Sequence, residues 1–194
     1  MKVLALGGSG GMGRYAVQYL HNIKQIEKIS DADVNSLSAK KFASHFDNRV
    51  EGLKLDIRDF ETLKSEMSKV DIVVNTTGPF FLFAEPILKA AIQTNTHYFD
   101  ICDDWEPTEK MLQMNEDAKK ANITAIIGLG ASPGLTNILA HMAISELDEV
   151  RKVYTGWDMS AAKPESESSQ SGVSAAMVHG LEQMMGEVKI YKNG

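Results

Sequence analysis

The chain has 194 residues, of which 43% are hydrophobic and 24% charged, an ordinary composition for a globular protein. At about 150 residues per domain, this length allows one complete domain and the beginning of another. The 20 Lys and Arg residues against 26 Asp and Glu residues give a net charge of −6, without any basic block. The composition therefore excludes disordered, collagen-like and disulfide-rich proteins, and makes nucleic acids and anionic membranes poor partners.

The single cysteine and the start of the chain both bear on location. Cys102 cannot form a disulfide within the chain, which indicates a reducing cytoplasm. The apolar start at 2–6 runs into glycines and is too short for a signal peptide or a membrane span. We therefore expect a soluble cytoplasmic protein.

Two apolar patterns alternate along the first two thirds of the chain. Short, nearly continuous apolar runs, typical of buried parallel strands, predict strands at 2–6, 26–33, 50–55, 70–74, 97–102 and 123–127. Apolar residues at helical spacing predict helices over 12–23, 37–46, 60–67 and 84–94, and one helix through Met111, Met114, Ala118 and Ala121. Pro86 is expected near the first turn of the helix at 84–94. This order predicts an α/β fold, a doubly wound parallel sheet with helices on both faces.

The alternation ends near residue 150, which we take as the boundary between a first domain, 1–150, and the start of a second, 151–194. Beyond it the sequence predicts a strand at 153–159, a Ser- and Glu-rich loop at 160–174, a helical stripe from Val173 to Met184 and a strand at 187–191. The last residues, Asn193-Gly194, are a strong hairpin-turn signal. This ending favours a chain cut inside a hairpin of an α+β second domain, and a frayed tail is the alternative.

A glycine-rich motif, G-x-G-x-x-G, joins the first predicted strand to the first predicted helix; it comprises Gly8, Ser9, Gly10, Gly11, Met12 and Gly13. In this context it is typical of dinucleotide binding, with Gly8 in the tight turn, Gly10 beside the pyrophosphate and Gly13 in close helix packing. The helix N-terminus offers N–H groups and a positive dipole end to phosphates. Arg14-Tyr15, in place of Lys and Ser or Thr, excludes a mononucleotide phosphate loop.

The nature of the cofactor depends on the end of the second predicted strand. Asp33 lies 20 residues after Gly13 and is predicted to bind the ribose hydroxyls of NAD or NADP. NAD is favoured, because Asp33 would repel a 2′-phosphate and the following Val34-Asn35 supplies no arginine. Arg14 and the pair Lys40-Lys41 are the nearest substitutes for such an arginine.

Two further strand ends carry polar residues. Asp56 closes the third predicted strand, where it would lie beside the adenine or be a plain surface residue. The loop Asn75, Thr76, Thr77, Gly78 and Pro79 follows the fourth predicted strand. Since ligands of open parallel sheets bind outside the carboxyl ends of the strands, we expect this loop to run along the cofactor toward the nicotinamide.

Four segments then carry a resemblance to a known family: GGSGGMGR at 7–14, DIVVNTTGPF at 71–80, HYFDICD at 97–103 and GLGASPGLTN at 128–137. Their order and spacing are similar to the NAD(P)-binding Rossmann domain of the saccharopine dehydrogenase family, over essentially 1–145. Residues 178–194 resemble the start of that family's substrate and dimerisation domain.

The resemblance implies an NAD(P)-dependent oxidoreductase acting on a carbon–nitrogen bond. In well-known members, an amino-acid amine and a semialdehyde are joined through an imine that hydride reduces. It implies that Gly8, Gly10 and Gly13 bind pyrophosphate, Asp33 the ribose and 75–79 the cofactor. It also implies an amino-acid-like substrate and a homodimer formed through the second domain.

Reduction of an imine needs a positioned carbon and a group that supplies or stabilises the iminium proton. Tyr98, Asp100 and Asp103, at the end of the fifth predicted strand, are the catalytic candidates, and Tyr98 and Asp100 share a strand face with Cys102. Structural roles for the carboxylates, and helix capping by Asp104, remain open.

A helix predicted to begin after Pro133-Gly134 brings Thr136 and Asn137 to its first turn. These two residues would hold a substrate carboxylate at the helix N-terminus. The alternative is a helix start without a ligand.

The sequence also bears on three alternative functions. Cys102 as a nucleophile would make a semialdehyde dehydrogenase, although no histidine base is adjacent in sequence and a buried thiol is the alternative. The histidines at 21, 45, 97, 141 and 179 lack metal-ligand spacing, so no catalytic zinc is expected. A dinucleotide-binding sensor without turnover, on the same fold, is the rival function.

Overall fold

A computed structural model describes residues 1–156 of the chain. The strands are β1 (Lys2–Leu6), β2 (Lys28–Asp33), β3 (Val50–Lys54), β4 (Ile72–Asn75), β5 (His97–Asp100) and β6 (Ala125–Ile126). The helices are α1 (Gly13–His21), α2 (Ser36–Ala43), α3 (Phe60–Met67), α4 (Phe80–Gln93), α5 (Trp105–Leu112), α6 (Asn115–Lys120) and α7 (Leu135–Ser145). The predicted alternation of strands and helices is confirmed up to β6.

The strands form one parallel sheet in the order β3-β2-β1-β4-β5-β6. The chain moves outward from β1 to β3, then crosses to β4 on the other side of β1. This reversal confirms the predicted doubly wound, Rossmann-type sheet. The crevice between the carboxyl ends of β1 and β4 is the place where such sheets bind ligands.

Both faces of the sheet are covered by helices, which explains the unbroken apolar run in β1. Val3 and Ala5 pack with Val17 of α1 in the cluster on one face. Leu4 and Leu6 belong to the cluster on the other face, which includes buried residues of α3, α4 and α5. A central strand with no solvent-facing side has no place for alternating polar residues.

The prediction for the fourth helix is wrong at its start. α4 begins at Phe80 and contains Pro86 in its interior, with Pro79 at the N-cap. Burial of Phe80 and Ala84 against the core extends the helix backward. The missing N–H of Pro86 removes only the intrahelical bond to the carbonyl of Leu82, a loss that this apolar packing outweighs.

The single helix predicted through Met111 and Ala121 is also wrong, because two helices occupy this stretch. Met114 is the N-cap of α6, and its N–H donates back to the carbonyl of Met111 at 3.0 Å, which closes a turn between α5 and α6. Met111 and Ala118 are buried on the two separate helices. The apolar spacing was therefore right although the helix is broken.

The last described residues, 135–156, differ from the rest because none of them is buried. None of the residues of α7 is buried, and 151–156 form no regular element. The first part of the strand predicted at 153–159 is therefore not a strand, and its remainder lies outside the described residues, as do the predicted loop, helical stripe and strand up to 191. Within 1–156, no helix has the length and apolarity needed to cross a bilayer.

Candidate functional site

The loop between β1 and α1 turns at Gly7, one residue before the glycine expected to do so. Gly7 has φ +72°, a left-handed conformation that favours glycine. Its N–H donates to the carbonyl of Ala32 at 2.8 Å, and its own carbonyl accepts the N–H of Gly10 at 2.9 Å. One hydrogen bond therefore closes the turn, and another joins the turn to the end of β2.

Gly8 and Gly13 lie where a side chain does not fit. A Cβ on Gly8 would lie 2.5 Å from Asp31 Oδ1 and 2.9 Å from Val17 Cγ2. A Cβ on Gly13 would overlap the carbonyl oxygen of Gly7 and lie 2.6 Å from Gly8 Cα. Gly13 thus has the packing geometry expected of the third glycine, since it brings α1 against the end of β1.

The other side of the loop is open. Nothing lies within 4 Å of a Cβ built on Gly11, and one built on Gly10 has a single neighbour, the Gly7 carbonyl oxygen at 3.0 Å. Among residues 1–156, the N–H groups of Gly11 and Met12 donate no hydrogen bond. Met12 is the N-cap of α1, so these N–H groups lie at the positive end of the helix. This arrangement can bind a phosphate or pyrophosphate anion.

Asp33 lies at the end of β2, directly beside this loop. One carboxylate oxygen accepts the Ser9 hydroxyl at 2.9 Å and the other accepts the N–H of Asn35 at 2.8 Å. Asn35 in turn caps α2, accepting the N–H groups of Leu37 and Ser38. These bonds fix the carboxylate next to the glycine loop, in the position from which it can accept ribose hydroxyls.

Asp56 follows β3 and is held by Arg58. Its carboxylate accepts the Arg58 side chain at 2.9 Å from Nε and 2.6 Å from Nη2, together with the Arg58 N–H at 3.0 Å. This guanidinium lowers the pKa of Asp56 to about 2. The contacts match the surface-residue alternative, and the predicted adenine contact stays a prediction.

The loop after β4 is joined to the glycine loop. The Thr76 hydroxyl donates to the carbonyl of Leu6 at 2.9 Å, and the Thr77 N–H donates to Asn75 Oδ1 at 3.0 Å. The Thr77 hydroxyl is buried without a hydrogen-bond partner in the described part of the chain, and lies 3.0 Å from a Cβ position on Gly7. Gly78 and the N-cap residue Pro79 follow. The loop thus places an unpaired hydroxyl beside the turn that opens the candidate site.

Two of the three catalytic candidates form a closed network between β4 and β5. The Tyr98 hydroxyl donates to Asp100 Oδ2 at 2.8 Å and accepts Asn75 Nδ2 at 3.1 Å. Asp100 Oδ1 accepts the N–H groups of Cys102 at 3.0 Å and Gly128 at 2.8 Å. Tyr98 is 0% exposed and Asp100 1%. These contacts favour the structural alternative, in which Asp100 ties the ends of β4 and β5 to the segment after β6.

Burial sets the acidity of this network and of the adjacent thiol. It raises the pKa of Asp100 and, with the neighbouring carboxylate, holds the pKa of Tyr98 well above its usual range. It also raises the pKa of Cys102 to about 12, so this buried thiol stays protonated near neutral pH. These features fit a quiet thiol and offer no support for a Cys102 nucleophile.

The remaining candidates lie on either side of this network. Asp103 is exposed beyond the end of β5, and Asp104 takes the N-cap position of α5, where its carbonyl accepts the Thr108 hydroxyl at 2.7 Å. At the start of α7, Asn137 Oδ1 accepts the N–H of Gly134 at 2.9 Å. Asn137 Oδ1 therefore caps the start of the helix, while Thr136 is one of the residues lining a groove of about 390 Å³ beside α7. Substrate binding by the pair stays a prediction.

One residue beneath the site was missed by sequence reasoning. Asp31 is fully buried in β2, and neither carboxylate oxygen has a hydrogen-bond partner among residues 1–156. The signal was present in the sequence: Asp31 comes two residues after Ile29 and so shares its buried strand face. A carboxylate at that position should have been identified as a candidate.

Comparison with known proteins identifies the family. Residues 3–126, more than half of the chain, match the family model described as saccharopine dehydrogenase NADP binding domain. The chain belongs to this family. The match confirms the resemblance and covers three of the four segments that carry it, at 7–14, 71–80 and 97–103. The family's description supports a nicotinamide cofactor.

Two curated proteins are also similar to this chain. A Caenorhabditis elegans protein named lipid droplet localized protein is 29% identical over 139 residues, 66% of this chain and 32% of the worm protein. Saccharopine dehydrogenase [NADP(+), L-glutamate-forming] of Schizosaccharomyces pombe is 26% identical over 152 residues, 78% of this chain and 32% of its own length. Both curated relatives are thus about three times as long as the part that this chain matches.

A solved structure shows the same fold. Apo saccharopine dehydrogenase (L-Glu forming) from Saccharomyces cerevisiae has a TM-score of 0.64 and 23% identity to this chain. The likeness covers 75% of this chain and 31% of the yeast chain. At this identity the comparison establishes the Rossmann fold.

The residues present fit a nicotinamide dinucleotide. The open N–H groups of Gly11 and Met12 would hold the pyrophosphate, and the fixed carboxylate of Asp33 would accept ribose hydroxyls. The buried Thr77 hydroxyl, unpaired among residues 1–156, lies beside the Gly7 turn. All three lie at the carboxyl edge of the sheet, where its strand order reverses.

Proposed function

We propose that this chain is the dinucleotide-binding part of an NAD(P)-dependent oxidoreductase. The observation that carries the proposal is the pair of open N–H groups, on Gly11 and Met12, at the N-terminus of α1. They adjoin a carboxylate, Asp33, that is already held in place by Ser9 and Asn35. A pyrophosphate and the neighbouring ribose need those two features side by side.

The reaction we propose is hydride transfer between the nicotinamide and an imine or amine carbon of an amino-acid-like substrate. Family membership and the names of the two fungal relatives, both saccharopine dehydrogenases, support it. A bound cofactor supplies the hydride, and the loop at 75–79 orients the nicotinamide end. Turnover is measured by nicotinamide absorbance with an amino acid and a semialdehyde as paired substrates; failure of every such pair would contradict the substrate class.

For the proton, we propose Asp103 as the group that meets the substrate nitrogen. Asp103 is exposed at the end of β5, whereas Tyr98 and Asp100 are buried in their own network. In this assignment Tyr98 and Asp100 are positioning residues, which hold the strand ends that present Asp103. Replacement Asp103→Asn should then lower kcat and change its pH profile, while cofactor affinity stays the same.

NAD is the cofactor that the charges support. Asp33 ends β2 and Asp56 follows β3, on the side where the adenosine would lie, and Arg58 is already paired with Asp56. Lys40 and Lys41 lie in the last turn of α2, whose first turn is the end beside Asp33. A 2′-phosphate would meet carboxylates there, although the family's description names NADP.

Calorimetric titration with NADH and NADPH tests the proposal. The decisive variant is Gly10→Val, whose side chain would project from the open side of the loop into the pyrophosphate position. We expect at least a tenfold loss of affinity, or about 1.4 kcal/mol. Gly156→Val is the matched control, because nothing lies within 4 Å of a Cβ there. Equal binding by both variants, or no binding by the unaltered chain, would contradict the site.

A second function, dinucleotide sensing without turnover, is supported by one observation. Tyr98 and Asp100 use their polar atoms on Asn75, Cys102 and Gly128, so they need no substrate to be satisfied. A sensor would bind the dinucleotide and tolerate Asp103→Asn without loss of function. Measuring turnover and dinucleotide affinity on the same Asp103 variant separates the two functions.

We also propose a cytoplasmic homodimer that binds a small molecule and no nucleic acid. The net charge of −6 argues against nucleic acid, the single, buried cysteine supports the cytoplasm, and the dimer is proposed from the family resemblance alone. Cell fractionation tests it, and recovery with lipid droplets, as the name of the worm relative would suggest, would contradict it.

A further inference from the structure

Asp31 is a carboxylic acid enclosed beneath the glycine loop. It lies in β2 between Ala5 of β1 and Gly52 of β3, is 0% exposed, and has no hydrogen-bond partner for either oxygen within residues 1–156. Its Oδ1 faces Gly8, at 2.5 Å from the position of a Cβ there. Buried carboxyls are normally hydrogen-bonded, so an unpaired one that touches a ligand-binding loop needs an explanation.

The surroundings of Asp31 favour its neutral form. Burial and the adjacent Asp33 raise the pKa of Asp31 to about 7, while the backbone of Ser9 opposes the shift without completing a hydrogen bond. Among the helices that cover this face of the sheet, α1 carries the basic residues Arg14 and His21, and α2 carries Lys40 and Lys41. The Nε of Arg14 donates to the Gly10 carbonyl at 3.4 Å, and the two lysines are exposed in the last turn of α2.

A bound pyrophosphate would change this balance. Its negative charge would lie on the loop of Gly8 to Met12, while Asp31 lies directly beneath Gly8. A like charge within about 4–6 Å disfavours the ionised form of a carboxyl. The protein interior between them offers little screening, since salt does not penetrate it.

We propose that Asp31 is a positioning residue whose protonation is coupled to dinucleotide binding, so that the glycine loop binds the pyrophosphate tightly only above a neutral Asp31. This inference rests on the proposed dinucleotide site. It gives the site a pH dependence: affinity is highest when Asp31 is protonated and falls as Asp31 ionises. Binding above neutral pH therefore takes up protons from solvent onto the Asp31 carboxylate, on average a fraction of a proton for each dinucleotide bound.

Proton uptake is measured by titrating the 194-residue chain with NADH, and with NADPH, in two buffers of different ionisation enthalpy at about pH 7.5. We expect uptake of roughly half a proton for the unaltered chain and none for Asp31→Asn. Affinity of the unaltered chain should fall several-fold between about pH 6 and about pH 8.5 and stay level in Asp31→Asn. At the higher pH the variant should bind more tightly than the unaltered chain.

Two further variants keep the outcome clear. Asp31→Val is a second neutral replacement that suits the apolar neighbour Val17, and it must abolish uptake as Asp31→Asn does. Asp117→Asn, on the exposed face of α6, is the control that must leave uptake unchanged. Equal uptake with and without Asp31 would overturn the coupling and leave the dinucleotide site intact. Absence of binding at every pH would overturn both together.

Discussion

The polar groups at the end of β1 and those at the end of β5 differ in whether they have hydrogen-bond partners. After β1, the backbone N–H groups of Gly11 and Met12 have no partner in the described region, and nearby side chains leave them uncovered. After β5, the polar atoms of Tyr98 and Asp100 are paired with one another and with the chain around them. Both regions lie at the carboxyl edge of the sheet. The N–H groups of the first region are available to a ligand, whereas the polar atoms of the second are bonded within the protein.

The difference shows what a polar residue at a strand end means. Glycines leave backbone groups accessible, so a glycine-rich end predicts a binding function directly. Tyr and Asp can serve either a substrate or the protein, and only their partners decide which. Position at the carboxyl edge is therefore a weaker guide for side chains than for the backbone.

The largest expected effect on stability comes from a side chain placed where α1 packs against the end of β1. Gly13→Val would put side-chain atoms into the Gly7 carbonyl and the Gly8 backbone. Neither backbone group can move without displacing β1, so we expect a loss of more than about 4 kcal/mol in the free energy of unfolding. Urea unfolding followed by circular dichroism measures it.

Gly11→Ala is the matched comparison for this loss. Its Cβ meets nothing within 4 Å, and Gly11 is not among the glycines with positive φ. We expect its free energy of unfolding to stay within about 0.5 kcal/mol of the unaltered chain. Similar losses for both variants would show that the loop tolerates no side chain anywhere, and would remove the distinction between its packed and open sides.

The next largest effect tests the closed region after β5. Asp100→Ala would leave the Tyr98 hydroxyl and the N–H groups of Cys102 and Gly128 without their acceptor. We expect a loss of about 3 kcal/mol in the free energy of unfolding. Asp148→Ala, at an exposed site after α7, should change it by no more than about 0.5 kcal/mol. A stable Asp100→Ala that lacks turnover would instead support a catalytic Asp100.

The sequence predicted the sheet well because burial leaves a regular pattern. Short apolar segments alternate with apolar residues at helical spacing, and this alternation predicted the six strands and most of the helices. The spacing of the glycines predicted the loop after β1. Helix ends were less predictable: Pro86 suggested a start that the packing of Phe80 overrides, and a turn at Met114 divides one stripe between α5 and α6. Such local breaks depend on contacts between distant segments.

The sequence allowed the candidate site residues to be named, but not their hydrogen-bond partners. Asp33 was predicted because its distance from the glycine motif is characteristic of ribose-binding carboxylates. The pairing of Tyr98 with Asn75 depends on the register of β5 against β4, which no local pattern encodes. Asp31 was missed because a single carboxylate is usually assigned to an exposed position, although its spacing from Ile29 places it on the buried face of the strand.

Asp31 also predicts a pH effect on stability, of intermediate size. Its pKa is about 7 in the folded chain and about 3.8 when unperturbed, so the folded state binds the extra proton between those values. Stability contributed by this group is therefore present at low pH and falls as pH rises toward about 7, by about 4 kcal/mol in all. Asp31→Asn removes this slope but buries an amide, so we expect a net gain of about 2 kcal/mol at about pH 8.

Urea unfolding at about pH 5 and about pH 8 measures this difference. Other carboxylates titrate in the same range. The change in the free energy of unfolding between the two pH values is therefore compared for the unaltered chain and for Asp31→Asn. Asp117→Asn, exposed on α6, should reproduce the slope of the unaltered chain. A parallel slope in Asp31→Asn would mean that Asp31 is ionised in the folded protein despite its burial.

The smallest expected effect also bears most directly on the contrast between the two strand ends. Tyr98→Phe keeps the ring and removes only the hydroxyl that joins Asn75 to Asp100. Asp100 would keep its two backbone donors, so we expect a loss of about 1 kcal/mol in the free energy of unfolding, with NADH affinity unchanged. If the hydroxyl instead acts on the substrate, stability would change as little, but kcat would fall at least about a hundredfold. Unfolding and turnover measured on this one variant therefore decide whether the β5 end belongs to the fold or to the reaction.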